Sequence, residues 1–169
     1  MKLKSLDLGC GGHIRNPFNA EELYGVDISI EGTVKGCEIR KSDLAVEPIP
    51  YDSLSFDVVT AYDLIEHIPR VLYLPERRSP FIFLMNEISR VLKPGGVFFS
   101  QTPAYPHAAA FQDPTHVNFI TDETFREYFC INGKNRAINY GYRGSLYLED
   151  QGWRKGMHIV AIMTKKNNG

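Results

Sequence analysis

Cysteine is scarce, with three in 169 residues, at positions 10, 37 and 130. Their spacing builds neither a disulfide framework nor a metal-ligand set, so they read as reduced thiols. No apolar run approaches the length of a bilayer span, and no secretory leader pattern opens the chain. No membrane partner is therefore expected, and the expected location is cytoplasmic. Nor is positive charge in excess, because 19 Lys and Arg face 20 Asp and Glu, for a formal net charge of −1. That balance argues against an electrostatic nucleic-acid binder, while leaving room for a local patch. Internal repeats and low-complexity segments are absent. What remains is the composition of one domain over residues 1–169, long enough to bury a proper core.

The chain is organised around Leu6-Asp7-Leu8-Gly9-Cys10-Gly11-Gly12-His13. Leu3, Leu6 and Leu8 supply an apolar strand. Gly9, Gly11 and Gly12 then let the backbone turn sharply and bring its N–H groups close to a ligand. The third glycine of a dinucleotide fingerprint would fall at Ile14, so a nicotinamide site fails. A second acidic residue, Asp27, ends the next apolar run, Leu23-Tyr24-Gly25-Val26, where a Rossmann-like fold places a ribose-binding carboxylate. The pattern points to a nucleoside cofactor.

Four stretches in order carry a resemblance to a known family: Leu6 to Gly12, Val26-Asp27, Ser42-Asp43-Leu44, and Phe56-Asp57-Val58-Val59 through Glu66-His67 to Arg90-Val91-Leu92-Lys93-Pro94-Gly95-Gly96. Together they resemble the class I S-adenosylmethionine-dependent methyltransferases over roughly the first hundred residues. The resemblance implies an α/β, Rossmann-like, doubly wound and mostly parallel sheet whose last strand is antiparallel.

Several helices of that fold have little room here. His13 to Leu23 contains Pro17 and holds at most two turns, expected around Asn19 to Leu23. Ile28 to Gly36 is too short for a crossover helix before the strand-like Cys37-Glu38-Ile39-Arg40. No helical segment precedes the first strand. The missing and shortened elements share one face of the sheet, which should be thinly covered. Phe56 to Tyr62 reads as a central, doubly buried strand. Leu84, Ile88, Val91 and Leu92 recur at helical spacing after Ser79-Pro80, an N-cap and first-turn pair, with Pro94-Gly95 as the stop. Val97 to Ser100 is the fifth strand. A long loop, Ala104 to Ile120, follows with Tyr105, His107, Phe111, His116 and Phe119. Thr121 is an N-cap for a helix to about Phe129. Strand-like runs near Arg136 to Tyr142 and Met157 to Thr164 flank a Gly- and charge-rich excursion and should form the terminal pair.

The resemblance also implies roles. Asp7 ends the first strand, and Gly9, Cys10 and Gly11 lie along the methionine part and ribose of S-adenosylmethionine. Asp27, followed by Ile28, accepts the ribose hydroxyls. Asp43 accepts from the adenine amino group, and the Leu44 N–H reaches the ring. Ala61 and Tyr62 offer carbonyls to the cofactor's ammonium. Taken singly, Asp27 and Asp43 also read as turn caps and Cys10 as a packing residue. His116 and His67 are the candidate bases. Asp63, Glu66, His67 and His116 are similar in spacing to the Glu-x-x-Glu-His plus His set of metal-dependent O-methyltransferases, with the shorter Asp at the first position.

The expected activity is methyl transfer from S-adenosylmethionine to oxygen or nitrogen of a small-molecule or sugar-type substrate. The alternatives are a nucleic-acid or protein substrate, or a catalytically weak or inactive subunit that works with a partner protein or second copy docked on the thin sheet face.

Overall fold

The computed structural model describes residues 2–167. Strands β1 (Lys4–Leu8), β2 (Glu22–Asp27), β3 (Gly32–Val34), β4 (Cys37–Lys41) and β5 (Phe56–Tyr62) are followed by helix α1 (Pro80–Val91) and strand β6 (Leu92–Pro103). Short helices α2 (Ala109–Gln112) and α3 (Thr124–Phe129) precede strands β7 (Leu146–Arg154) and β8 (His158–Lys165). All eight strands form one sheet in the order β3-β4-β2-β1-β5-β6-β8-β7. The inner five, β4-β2-β1-β5-β6, are parallel, while β8 pairs antiparallel with β6 and with β7. This is the Rossmann-like sheet with an antiparallel close.

Strand alternation assigns the faces. Leu6, Leu8, Val59, Ala61 and Phe98 share one core with Phe81, Leu84, Met85 and Ile88 of α1 and with Phe125 and Phe129 of α3. Among the described residues the opposite face carries no α-helix. The loop after β1 covers its middle, with Phe18 set edge-on against Phe99 at 6.2 Å. Farther out, Val160 and Ile162 of β8 stay half-buried, so this face is thinly covered as its short connections imply.

Three expectations about local structure are corrected. No helix forms over Asn19 to Leu23, and Glu22 and Leu23 already belong to β2. Asn16 accepts the Ala20 N–H at 2.8 Å and donates to the Ala20 carbonyl at 3.0 Å, a side-chain clamp that competes with helical bonds, while Asn19 sits at φ 53°. Residues 136–140 form a 3-10 helix instead of a strand, set between left-handed Asn135 and Gly141. The outermost strand is instead the charged stretch Leu146–Arg154. An edge strand buries only part of its surface, so its polar sequence conceals it and also discourages edge-to-edge pairing.

Smaller differences follow the same logic. The segment after Asp27 makes a hairpin, β3 to β4, through Lys35 and Gly36 at φ 50° and 81°, the backbone of a tight primed turn. Helix α1 starts at Pro80 as its sequence indicates, but Ser79 makes no side-chain cap bond. It stops at Val91, and the Lys93–Gly96 segment bulges out of a longer β6. Helix α3 begins at Thr124; Thr121 still accepts the Glu123 N–H at 3.3 Å through its hydroxyl.

Candidate functional site

The carboxyl ends of β1, β2, β4 and β5 line up, and the groups expected to bind a cofactor gather there. Gly9 turns at φ 64° while its N–H donates to the Val26 carbonyl at 2.8 Å. A Cβ at Gly9 would stand 3.0 Å from Leu64 Cδ1, so only glycine keeps this approach open. Cys10 is buried, and burial raises its thiol above the usual range. A Cβ at Gly25 would come within 2.7 Å of the Cys10 sulfur, which makes Cys10 a packing residue.

Asp27 accepts the Ser29 N–H at 2.9 Å and the Ser29 hydroxyl at 2.8 Å on Oδ1, and the Gly11 N–H at 2.9 Å on Oδ2. Burial alone would raise its carboxyl, but the backbone donors of Ser29 and Gly11 outweigh it and hold Asp27 below the ordinary value. Asp27 lines a pocket of about 240 Å³. That pocket runs from Gly9 and Asp27 over Ile28, Asp43 and Leu44 to Leu64 and His67. Asp43 also begins a turn, accepting the Ala45 N–H at 3.0 Å.

Asp7 is fully buried and lies beneath a residue that the sequence reading did not single out. Arg15 donates to Asp7 Oδ2 from both its backbone N–H and its Nε at 2.9 Å. It also donates to the carbonyls of Gly9 at 2.9 Å and Tyr62 at 3.4 Å. Thr60 adds a hydroxyl bond to Asp7 Oδ1 at 2.7 Å. Burial still raises the Asp7 carboxyl, because these donors offset its desolvation only in part. No local pattern marks Arg15; it reaches Asp7 because the loop takes the place of a helix.

A second cluster forms where the segment leaving β5 meets the long loop after β6. The ligand atoms of Glu66, His67 and His116 all lie within 4.8 Å of one another. Their backbones are tied together, since Glu66 O accepts the N–H groups of Val117 at 2.9 Å and Asn118 at 3.0 Å. The Glu66 carboxylate accepts the Thr102 hydroxyl at 2.8 Å, and burial pushes this carboxyl up to about 7. Asp63 does not join the cluster. It turns at φ 49° and meets His158 Nε2 at 3.0 Å, which corrects the expected four-donor set to three.

Hydrogen-bond accounting assigns the Nδ1 of each imidazole as a donor. Thr115 donates its hydroxyl proton to Asp113 Oδ1 at 2.6 Å and its N–H to the same oxygen at 2.8 Å. These bonds hold the Asp113 carboxyl below its ordinary value. With its one proton committed, the Thr115 oxygen can only accept from His67 Nδ1, 3.0 Å away. His116 Nδ1 lies 3.3 Å from the Ala110 carbonyl, which is an acceptor only. Both rings are therefore placed to donate from Nδ1, while neither Nε2 has a hydrogen-bond partner among the described residues, and the rings stand edge to face with centroids 4.8 Å apart.

The methyltransferase-domain family matches residues 6–100, more than half of the chain. The chain belongs to the S-adenosylmethionine-dependent methyltransferases. S-Adenosylmethionine is the methyl donor that this family implies. A ubiquinone biosynthesis O-methyltransferase of Idiomarina loihiensis is 31% identical over 110 residues, covering 57% of this chain and 41% of that protein. The chain thus spans about two fifths of that relative's length. Among solved structures, the complex between the Haloferax volcanii Trm112 methyltransferase activator and its methyltransferase matches with TM-score 0.69 at 16% identity, over 98% of this chain and 84% of the matched one. An S-adenosylmethionine-dependent methyltransferase of Aquifex aeolicus matches with TM-score 0.63 at 14% identity, over 96% and 82%. These structural likenesses establish the class I fold of the methyltransferase. No helix of the described residues is long and apolar enough to cross a membrane.

Proposed function

We propose that this methyltransferase alkylates a hydroxyl oxygen of a small molecule, of sugar type or another metabolite, with His67 or His116 taking the proton. The observation that carries this reading is His67, which lines the pocket of Asp27 and Asp43, with His116 packed edge to face against it and both rings held through Nδ1. In this reading the adenine lies between Leu44 and Leu64, with Asp43 accepting from its amino group and Asp27 from the ribose. Gly9, Cys10 and Gly11 line the chain toward the methionine end. Arg15 receives the methionine carboxylate, and Asp7 acts through Arg15. Ala61, fully buried, stands one residue before the end of β5. The Tyr62 carbonyl, which Arg15 meets only at 3.4 Å, keeps a lone pair for the ammonium.

Transfer is an in-line displacement. The acceptor oxygen bonds to the methyl carbon as the carbon–sulfur bond breaks, the sulfonium becomes a neutral thioether, and the hydroxyl proton passes to Nε2. Alignment and exclusion of water supply most of the acceleration, and a positioned base adds roughly 10²- to 10⁴-fold. The three-donor set of Glu66, His67 and His116 also fits a divalent cation, which would replace the imidazole base and acidify the acceptor hydroxyl instead.

The test is transfer of labelled methyl to panels of hydroxylated and amino compounds, with and without chelator. The expected result is label on hydroxyl acceptors, lost in His67→Ala, in His116→Ala or at the latest in the double variant, with S-adenosylhomocysteine binding retained in His116→Ala. Label on amines alone, or full turnover in the double variant, contradicts the proposal. A second reading, activity that depends on a protein partner, is favoured by the half-buried β8 face and by the complexed Haloferax neighbour. Turnover by the isolated chain argues against it.

A further inference from the structure

A second opening lies at the same edge of the sheet, over the ends of β5, β6 and β8, and its charges do not balance. It encloses about 370 Å³ and includes Arg15, Tyr62, Asp63, Gln101, Arg154 and His158. Its aromatic floor is Tyr62, whose ring lies 4.9 Å from that of Phe99 and 4.7 Å beneath the Arg15 guanidinium.

Each charge can be followed to its partner. Arg15 is neutralised by Asp7 and Asp63 is held by His158. Arg154 donates at 2.9 Å to the side-chain oxygen of Gln101, a neutral group, and Lys155 follows it in the hairpin turn at φ 52°. Neither meets a carboxylate among the described residues. The chain as a whole carries a formal charge of −1, so two unpaired cations on one rim are a local feature. A guanidinium already steadied by an amide oxygen presents its remaining N–H groups as a fork for an oxyanion.

We propose that the rim of Arg154 and Lys155 binds an oxyanion, a carboxylate or phosphate, carried by the methyl acceptor. The proposal rests on the reading of the neighbouring pocket as the methyl-donor site. Asp63 lines this opening and His67 lines the adenosine pocket, and both belong to the short segment that leaves β5. An acceptor lying across that segment places its anion on the rim and its hydroxyl toward His67 and His116.

The experiment is calorimetric, at constant ionic strength, and begins by saturating the chain with S-adenosylhomocysteine. Inorganic phosphate and malonate are then titrated separately, so that the two arms tell phosphate from carboxylate recognition. The expected result is saturable binding of at least one, weakened tenfold or more in Arg154→Gln/Lys155→Gln, whose exposed side chains can be exchanged without touching the core. S-Adenosylhomocysteine affinity should stay within twofold in the same variant. Absence of saturable anion binding to the loaded wild-type chain overturns the proposal, as does undiminished binding in the variant. A parallel loss of S-adenosylhomocysteine affinity also overturns it, because the two cations would then serve the cofactor's own carboxylate. Failure of the wild-type chain to bind S-adenosylhomocysteine defeats the underlying reading instead, and the first titration reveals it.

Discussion

Replacing Glu66 by Gln should stabilise the protein at high pH and leave it nearly unchanged in acid. Burial moves the Glu66 carboxyl from its ordinary value near 4.5 up to about 7. The unfolded chain therefore releases this proton near 4.5 and the folded chain only near 7. Between those values the folded state binds more protons, so stability falls as pH rises through that window and stays low above it. At about 1.4 kcal/mol per pH unit, the ionised side chain costs the fold about 3 kcal/mol above pH 7. Glutamine has the same shape, and its side-chain oxygen can still accept the Thr102 hydroxyl. Urea denaturation of both proteins with chelator present, from pH 4.5 to 8.5, reads the effect directly. Glu66→Gln should exceed wild type by about 3 kcal/mol at pH 8 and converge with it near pH 4.5. A difference that does not vary with pH, or a variant less stable at pH 8, would refute the reasoning.

Two further outcomes follow from the hydrogen-bond network. Arg15→Ala leaves the buried Asp7 carboxylate without its countercharge and should cost about 3 kcal/mol in urea denaturation, with part recovered by adding Asp7→Asn; a loss below about 1 kcal/mol contradicts the pairing. Thr115→Val removes the acceptor that holds His67 Nδ1–H, so ring nitrogen shifts in NMR spectra should move His67 toward the Nε2–H tautomer. Finding wild-type His67 already protonated on Nε2 would overturn the tautomer argument.

How much of this was legible in the sequence depends on where each signal resides. Phe56–Tyr62 is a central strand buried on both faces, so its unbroken apolar run declares it, and α1 declares itself through Leu84, Ile88 and Val91. Strand β7 has one face and an edge in water, so its Glu149, Asp150 and Arg154 resemble a loop. The Asn16 clamp that suppresses the first helix works through a side chain contacting backbone four residues away, which hydrophobic period does not register. At the site, the glycine turn, Asp27 and Asp43 were readable because strand ends repeat a local pattern. Arg15 was not, since its meaning depends on Asp7, Gly9 and Tyr62 converging in space. Asp63 had the right spacing for the His67 cluster, but its left-handed backbone sends it to His158.

Titration of wild type and Asp27→Asn with S-adenosylhomocysteine tests the central claim most directly. Asp27 takes three protein donors through its carboxylate, and the proposed reading gives its remaining acceptor capacity to the ribose. The account predicts micromolar binding to wild type, weakened by on the order of 10- to 100-fold in the variant, the loss of one hydrogen bond to a charged group. Equal affinity in the two proteins, or no binding to wild type, would contradict it.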